Sequence, residues 1–326
     1  MPTSASYNFS MSAADIIKSA YEDLSVIVPG GTVSTADSTM ALQRLNMLAH
    51  QWQGNSDLAP GLKVWTRQRI TLFLAIGQQT YLVGPATTDA RASTLVGRTT
   101  ISAAEAAAQT VISITSNIDL NSYPGTTITM TSGDFVGIEL NDGTIQWTTI
   151  SGTPAATMTI NNALTDAAAA GNYVWWFTSR AQRFPSLDFA TLRNEFFNDT
   201  PLGIYTQVQQ YEANVAKFAD GTPTSILVEP QRLNTRITLD VQPTDITSQI
   251  FLTAIYPAED YDATTDDIAF PQEWFSALSW ELAFRLSPSV GRWTPEMELN
   301  KKNALIMARS LNPENSALYF QPNAGW

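Results

Sequence analysis

Few residues in this chain can make or break bonds. His50 is its only histidine and cysteine is absent, so no Ser-His-Asp triad, Cys-His pair, disulfide or Cys- or His-rich zinc site can be assembled. His50 lies on the polar flank of a helical stripe and reads as a partly buried helix residue. No P-loop, G-x-G-x-x-G or G-x-S-x-G occurs. Carboxylates remain. Glu259, Asp260, Asp262, Asp266 and Asp267 fall within nine residues and offer the oxygen ligands that Ca²⁺ or Mg²⁺ takes. They lack the Asp-x-Asp-x-Asp-Gly loop, and a solvated, helix-capping turn explains them without a metal. A glycosidase can use two carboxylates as acid and base, with Trp175-Trp176-Phe177 to stack a sugar. Adjacent strand residues point to opposite faces, so Trp175 and Trp176 form no shared platform and are expected in core and interface packing. The residues thus give no catalytic, cofactor-binding or metal-binding set.

The other candidate is a surface. Leu318, Tyr319, Phe320 and Trp326 follow Asn312-Pro313, which ends the last helix. Terminal segments are ordinarily polar and frayed, so four large apolar side chains there call for something to cover them. They either fold back over the chain's own helices or dock on a neighbouring protein; docking is the preferred reading.

Composition narrows the class. A chain of 326 residues has room for two or three domains, and 44% hydrophobic with 10% aromatic residues excludes a disordered chain. Net charge is −12 with no Lys/Arg run, so nothing is built to grip nucleic-acid phosphates. An acidic surface can still line a passage for DNA, because repulsion keeps the polymer from sticking. The start M-P-T-S-A-S-Y-N-F-S lacks the features of a signal peptide, and no apolar run reaches the ~20 residues that span a bilayer. A soluble, cytoplasmically made protein is expected.

Elements follow from periodicity. Ser12 with Asp15 three later is a capping-box variant, opening a helix to about Val28 with Ile16, Ile17, Ala20 and Leu24 inward. Ser34 and Asp37 repeat the signal, and Ala41, Leu45, Leu48 and Trp52 line a second helix ending near Gly54. The Pro29-Gly30-Gly31 turn makes these an αα-hairpin. Arg69–Leu74 and Gln79–Val83 read as strands around Gly77-Gln78. Residues 99 to 179 hold no Lys or Arg yet carry Glu105, Asp119, Asp134, Glu139, Asp142 and Asp166. Their strand-like runs, with Asn141-Asp142-Gly143 as a tight hairpin, predict a small inserted all-β sandwich or barrel. Leu233–Leu239 and Gln249–Tyr256 are expected to pair and close the host domain. Helices at Pro271–Leu286 and Thr294–Leu311 complete an α+β fold. Each helix has one apolar stripe, which predicts that the N- and C-terminal helices form a four-helix bundle.

Two stretches carry a resemblance. From Ile255 to Leu286 a strand ends in an acidic loop, Asp266-Asp267-Ile268-Ala269-Phe270-Pro271 follows, and a helix opens with Phe275, Leu278, Leu282 and Leu286 on one face. Asp266 and Asp267 are expected at the positive end of that helix dipole. With A-L-Q-R-L-N-M-L-A-H-Q-W-Q at 41–53 and the strands at 69–83, this resembles the head-to-tail adaptor (tail accessory, head completion) family of short-tailed bacteriophages, over roughly half the chain. The 99–179 segment resembles the β-hairpin insertions of larger adaptors. The resemblance implies a non-enzymatic virion protein of the neck, assembled in the host cytoplasm without a cofactor. It implies a twelve-copy ring below the portal protein that extends the DNA channel, touches passing DNA transiently and carries a downstream nozzle or fibre protein, with no membrane contact. Leu318, Tyr319, Phe320 and Trp326 then fall at the portal interface. The expected division is 1–91 for the helical hairpin and first strands, 92–179 for the insert, 180–311 for the remaining strands and helices, and 312–326 for the tail. Alternatives are a carbohydrate-binding or carbohydrate-cleaving virion protein using the insert, and a tail-tube or fibre-joining protein.

Overall fold

A computed structural model describes residues 9–52, 55–56, 59–60, 67–85, 91–119, 127–194, 198–205, 207–215, 217–246 and 248–311. Among them are five α-helices: α1 (Ala13–Asp23), α2 (Thr35–Trp52), α3 (Val208–Glu212), α4 (Phe275–Val290) and α5 (Pro295–Leu311). The fold is α+β. Contacts divide the chain into two compact units, Met1–Leu62 with Pro257–Trp326, and Lys63–Tyr256. One unit holds the helices from both ends of the chain, the other most of the strands. No described helix is long and apolar enough to cross a membrane.

In the helical unit, α1 opens on a complete capping box: the Ser12 hydroxyl accepts from the Asp15 N–H, and the Asp15 carboxylate accepts from the Ser12 N–H at 3.0 Å. Ile16, Ile17, Ala20 and Leu24 are buried as their spacing predicts. The helix stops at Asp23, short of Val28, because Ser25 takes a left-handed conformation at φ 55° just after the Leu24 cap. Ala41, Leu45, Leu48 and Trp52 of α2 are buried likewise. On the C-terminal side a 3₁₀ turn, Gln272–Trp274, precedes α4.

α4 runs on through Pro288 to Val290, four residues beyond the expected stop, and ends at Gly291 with φ 70°. Proline removes the N–H that would bond the Phe284 carbonyl; the Ser287 hydroxyl donates to that carbonyl instead, at 2.7 Å. This local replacement lets the helix continue.

The four-helix bundle is not what forms. α4 packs on α1, α2 and α5, while α5 lies against α4 and the 3₁₀ turn. Ala308 is buried, but Leu299, Ile306 and Met307 of α5 are 56–67% exposed. The contact with α4 runs through aromatic and charged side chains: Phe284 meets Trp293 at 5.1 Å, with the Lys301 ammonium 3.7 Å over the Phe284 ring. Binary patterning gave α5 an apolar stripe, but among the described residues α4 and the 3₁₀ turn cover only part of it.

The β unit is a two-sheet sandwich with a barrel threaded into it. One sheet has the order Asp199–Pro201, Ser186–Arg193, Gln249–Ile255, Arg67–Phe73, Arg91–Ser93; the other Gly203–Tyr205, Ser225–Pro230, Thr235–Leu239, Thr80–Val83. Their inward residues, among them Ile70, Leu72, Tyr81, Ile226, Ile237, Ile250 and Leu252, form one buried cluster. The strands expected to pair at 233–239 and 249–256 lie in different sheets. Thr235–Leu239 pairs with Ser225–Pro230 and Thr80–Val83, and Gln249–Ile255 with Ser186–Arg193 and Arg67–Phe73. The two strands flanking Gly77 also part between the sheets. Consecutive strands cross because each has one apolar face, and two such faces bury each other across a sandwich.

Between Ser93 and Ser186 the chain forms a six-stranded sheet, in order Gly97–Thr100, Tyr173–Phe177, Phe135–Glu139, Ile145–Ser151, Thr157–Ile160, Val111–Ser113. Its two edges are bridged at Ile101–Ile114, with Ser102 and Thr115 N–H groups donating to the Ser113 and Thr100 carbonyls, so the sheet curls into a barrel. Inside lie Ile112, Val136, Ile138, Ile150, Met158, Val174 and Trp176. The Asn141-Asp142-Gly143 hairpin forms, Gly143 taking φ 78° and Asp142 accepting from the Thr144 N–H at 2.8 Å. Two cross-strand pairs set a glycine against a tryptophan, Gly97 opposite Trp176 and Gly137 opposite Trp147. A methyl at Gly97 would stand 2.3 Å from the Trp176 ring, and one at Gly137 2.8 Å from Trp147. Each indole lies over its glycine, which is why no side chain fits there.

Candidate functional site

The acidic block of residues 259–267 is a structural joint. The Asn46 amide of α2 grips the backbone on both sides of Tyr261, its carbonyl accepting from the Tyr261 N–H at 2.8 Å and its NH₂ donating to the Tyr261 carbonyl at 3.0 Å. Asp260 meets His50 at 2.7 Å, and His50 is exposed, not partly buried. The Asp266 carboxylate accepts from the Asp262 and Ala263 N–H groups, both at 2.9 Å. It therefore closes its own turn and does not stand at the start of α4. The orphan donors served are those of α1: Ala13 and Ala14 N–H groups donate to the Asp266 and Thr264 carbonyls at 2.8 Å, and a bridge joins Ser12 to Asp267. Phe270 and Trp274 then pack edge-on against Trp52. Buried Tyr261 has its phenol pushed up to about 12 by that burial. The Asp260 and Asp266 carboxylates are engaged in separate contacts, and no group of three metal-binding side chains converges among the described residues.

The insert's acids act similarly. Glu105, Glu139, Asp119 and Asp134 accept from the N–H groups of Ser113, Tyr173, Arg98 and Thr131 at 2.7–2.9 Å. Like Asp142, they staple turns and strand ends.

The outer wall of the barrel presents a different chemistry. Tyr173, Trp175 and Phe177 alternate outward while Val174 and Trp176 enter the core, as strand geometry requires. Trp147 meets Phe177 at 5.5 Å, Phe135 meets Phe177 at 5.4 Å, and Phe73 of the sandwich meets Trp147 and Trp175 at 5.0 and 5.4 Å. Three arginines from the two chain crossings lie over this surface: Arg91 over Trp147, Arg98 over Tyr173, and Arg180 over Phe135 at 4.6 Å. Cation–π contacts of this kind strengthen as they are desolvated. Arg91 and Arg180 thereby join residues flanking the six-stranded sheet to its outer wall, while Arg98 stacks within the sheet.

Two cavities open along this seam. One of about 340 Å³ is lined by Phe73, Tyr81, Arg91, Thr144, Trp147 and Ile246, among others. The second, of about 180 Å³, lies between Arg91 and Arg180, walled by Phe135 and Trp147 and rimmed by Thr149 and Asn162.

Sequence reasoning placed Trp175 and Trp176 on opposite faces, which the structure bears out, but missed Arg91, Arg180 and Trp147. The one signal along the chain was the block without basic residues from 99 to 179, bounded by Arg98 and Arg180. Leu318, Tyr319, Phe320 and Trp326 lie outside the described residues. No family model and no curated protein sequence matches the chain.

Proposed function

We propose that this chain is a structural head-to-tail adaptor of a short-tailed phage virion, acting without catalysis. Twelve copies form a ring under the portal, extend an acidic DNA channel and present a platform for a downstream nozzle or fibre protein. The observation that carries the reading is in α5. It shows Leu299, Ile306 and Met307 to solvent and is followed in sequence by Leu318, Tyr319, Phe320 and Trp326. An exposed apolar helix face continued by an aromatic-rich terminal sequence favours docking on another protein. The joint that fastens residues 262–268 to the start of α1 lends further support, since it gives the Asp-Asp-Ile-Ala-Phe-Pro stretch a role in tying both chain ends into one helical unit.

Net charge of −12 sets free subunits to repel one another, so the portal supplies the template for the ring. Each tail contact is modest because fixing backbone and side chains on binding costs entropy, and repetition around the ring multiplies it through avidity. The test is sedimentation of the purified chain with and without its portal. Monomer alone and rings on the portal are expected; a stable dodecamer without portal overturns the templating step. Truncation at Asn312 should abolish portal binding while leaving the melting temperature nearly unchanged. Retained binding by a destabilised truncate places the anchor elsewhere.

A further inference from the structure

The seam pocket between Arg91 and Arg180 has features that holding the barrel in place does not require. Among the described residues Arg180 makes no ion pair, and its Nε is buried without a hydrogen-bond partner although the guanidinium stacks on Phe135. Buried polar groups are ordinarily satisfied, and a charged one most of all. The Asn162 amide likewise makes no hydrogen bond within the described residues; only its backbone is engaged, with Thr148 and Gln146. Thr149 Oγ1 accepts from the Asn161 amide at 2.6 Å, which leaves the hydroxyl proton free to donate. Donors from the Arg180 guanidinium, the Asn162 amide and the Thr149 hydroxyl therefore line one small cavity beside an aromatic wall, with Arg91 also in its lining. Its volume of about 180 Å³ holds a small ring or anion, roughly six waters at ~30 Å³ each.

We infer that this pocket binds a small oxyanion-bearing ligand, either the carboxylate of an acidic sugar or a phosphate. A guanidinium is a planar fork of N–H donors that matches two oxygens of either group. An anion in this cavity would satisfy the buried Arg180 Nε. The walls of Trp147 and Phe135 would cover the carbon face of a ring carrying the acid. In a chain of net charge −12, the surroundings otherwise disfavour anions, so selectivity rests on Arg180. The inference is independent of the ring proposed above.

Isothermal titration of the full chain with sodium glucuronate, glucose and inorganic phosphate tests it. At least one anion should bind and glucose should not; whichever anion binds more tightly identifies the natural source. Arg180→Gln should weaken that anion by about tenfold or more, as expected for loss of a charge-assisted hydrogen bond, and Arg180→Lys, which keeps the charge without the fork, should fall between. Near-UV circular dichroism checks that the barrel is intact. If Arg180→Gln unfolds it, Asn162→Ala, whose amide makes no hydrogen bond among the described residues, should still weaken binding several-fold. Binding of neither anion, equal binding of glucose, or unchanged affinity in both variants overturns the inference.

Discussion

The Gly97–Trp176 pair gives the sharpest test of how the barrel is packed. Trp176 is wholly buried, and a Cβ at Gly97 would lie 2.3 Å from its Cε2, 2.4 Å from Cζ2 and 2.9 Å from Cδ2. Those atoms belong to the body of a fixed ring, so Gly97→Ala must displace the indole or the strand, at a cost of about 1–3 kcal/mol. Trp176→Ala should cost about 3–5 kcal/mol by emptying the core. In the Trp176→Ala background the space above Gly97 is open, and Gly→Ala in a strand then gains about 0.5–1 kcal/mol from reduced backbone freedom in the unfolded chain. The two substitutions should therefore be non-additive by more than ~1 kcal/mol, well beyond the scatter of independent sites. Urea denaturation of the four members of the cycle, followed by near-UV circular dichroism, measures this. A Gly97→Ala cost that is the same in both backgrounds would refute the reasoning, since contact with the indole would then not be its source.

Three further outcomes follow from individual hydrogen bonds and titrations. Ser12→Ala should cost about 0.5–2 kcal/mol. The Ser12 hydroxyl holds the Asp15 carboxyl below its ordinary value, so this stabilisation is present above a pH of about 4 and fades as pH falls further; thermal melts at pH 7 and pH 3 should show the variant's deficit shrinking in acid. Burial raises the Tyr81 phenol to about 12, so the folded state keeps that proton longer than the unfolded one. Stability should be intact below pH ~10 and lost as pH climbs towards 12, by up to roughly 2–3 kcal/mol; Tyr81→Phe, although weaker at neutral pH, should lose less over that window in urea titrations, and an equal loss would argue against Tyr81 as the source. Ser287→Ala should cost about 1–2 kcal/mol by leaving the Phe284 carbonyl without a donor beside Pro288, and hydrogen exchange in the last turn of α4 should rise with it.

Local chemistry was legible in the sequence wherever the partners are close along the chain. Ser12 and Asp15, Ser34 and Asp37, and the Asn141-Asp142-Gly143 turn form as their spacing dictates, because each satisfies its own backbone groups within a few residues. Period-two alternation likewise fixed which tryptophan of the Trp175-Trp176 pair entered the core. Partner choice between distant segments was not legible. An apolar strand face does not say whether it meets its sequence neighbour or a strand of the opposite sheet, and Thr235–Leu239 and Gln249–Ile255 took the latter course. Nor does a run of acids reveal which backbone groups it will serve. Asp266 looked like a cap for the following helix, yet it closes its own turn while the adjoining carbonyls cap α1, far away in sequence. The candidate pocket shows the same limit. Arg91, Trp147, Asn162 and Arg180 come from four stretches that only the curling of the barrel brings to one place, since electrostatic and aromatic contacts act through space and leave no periodicity along the chain.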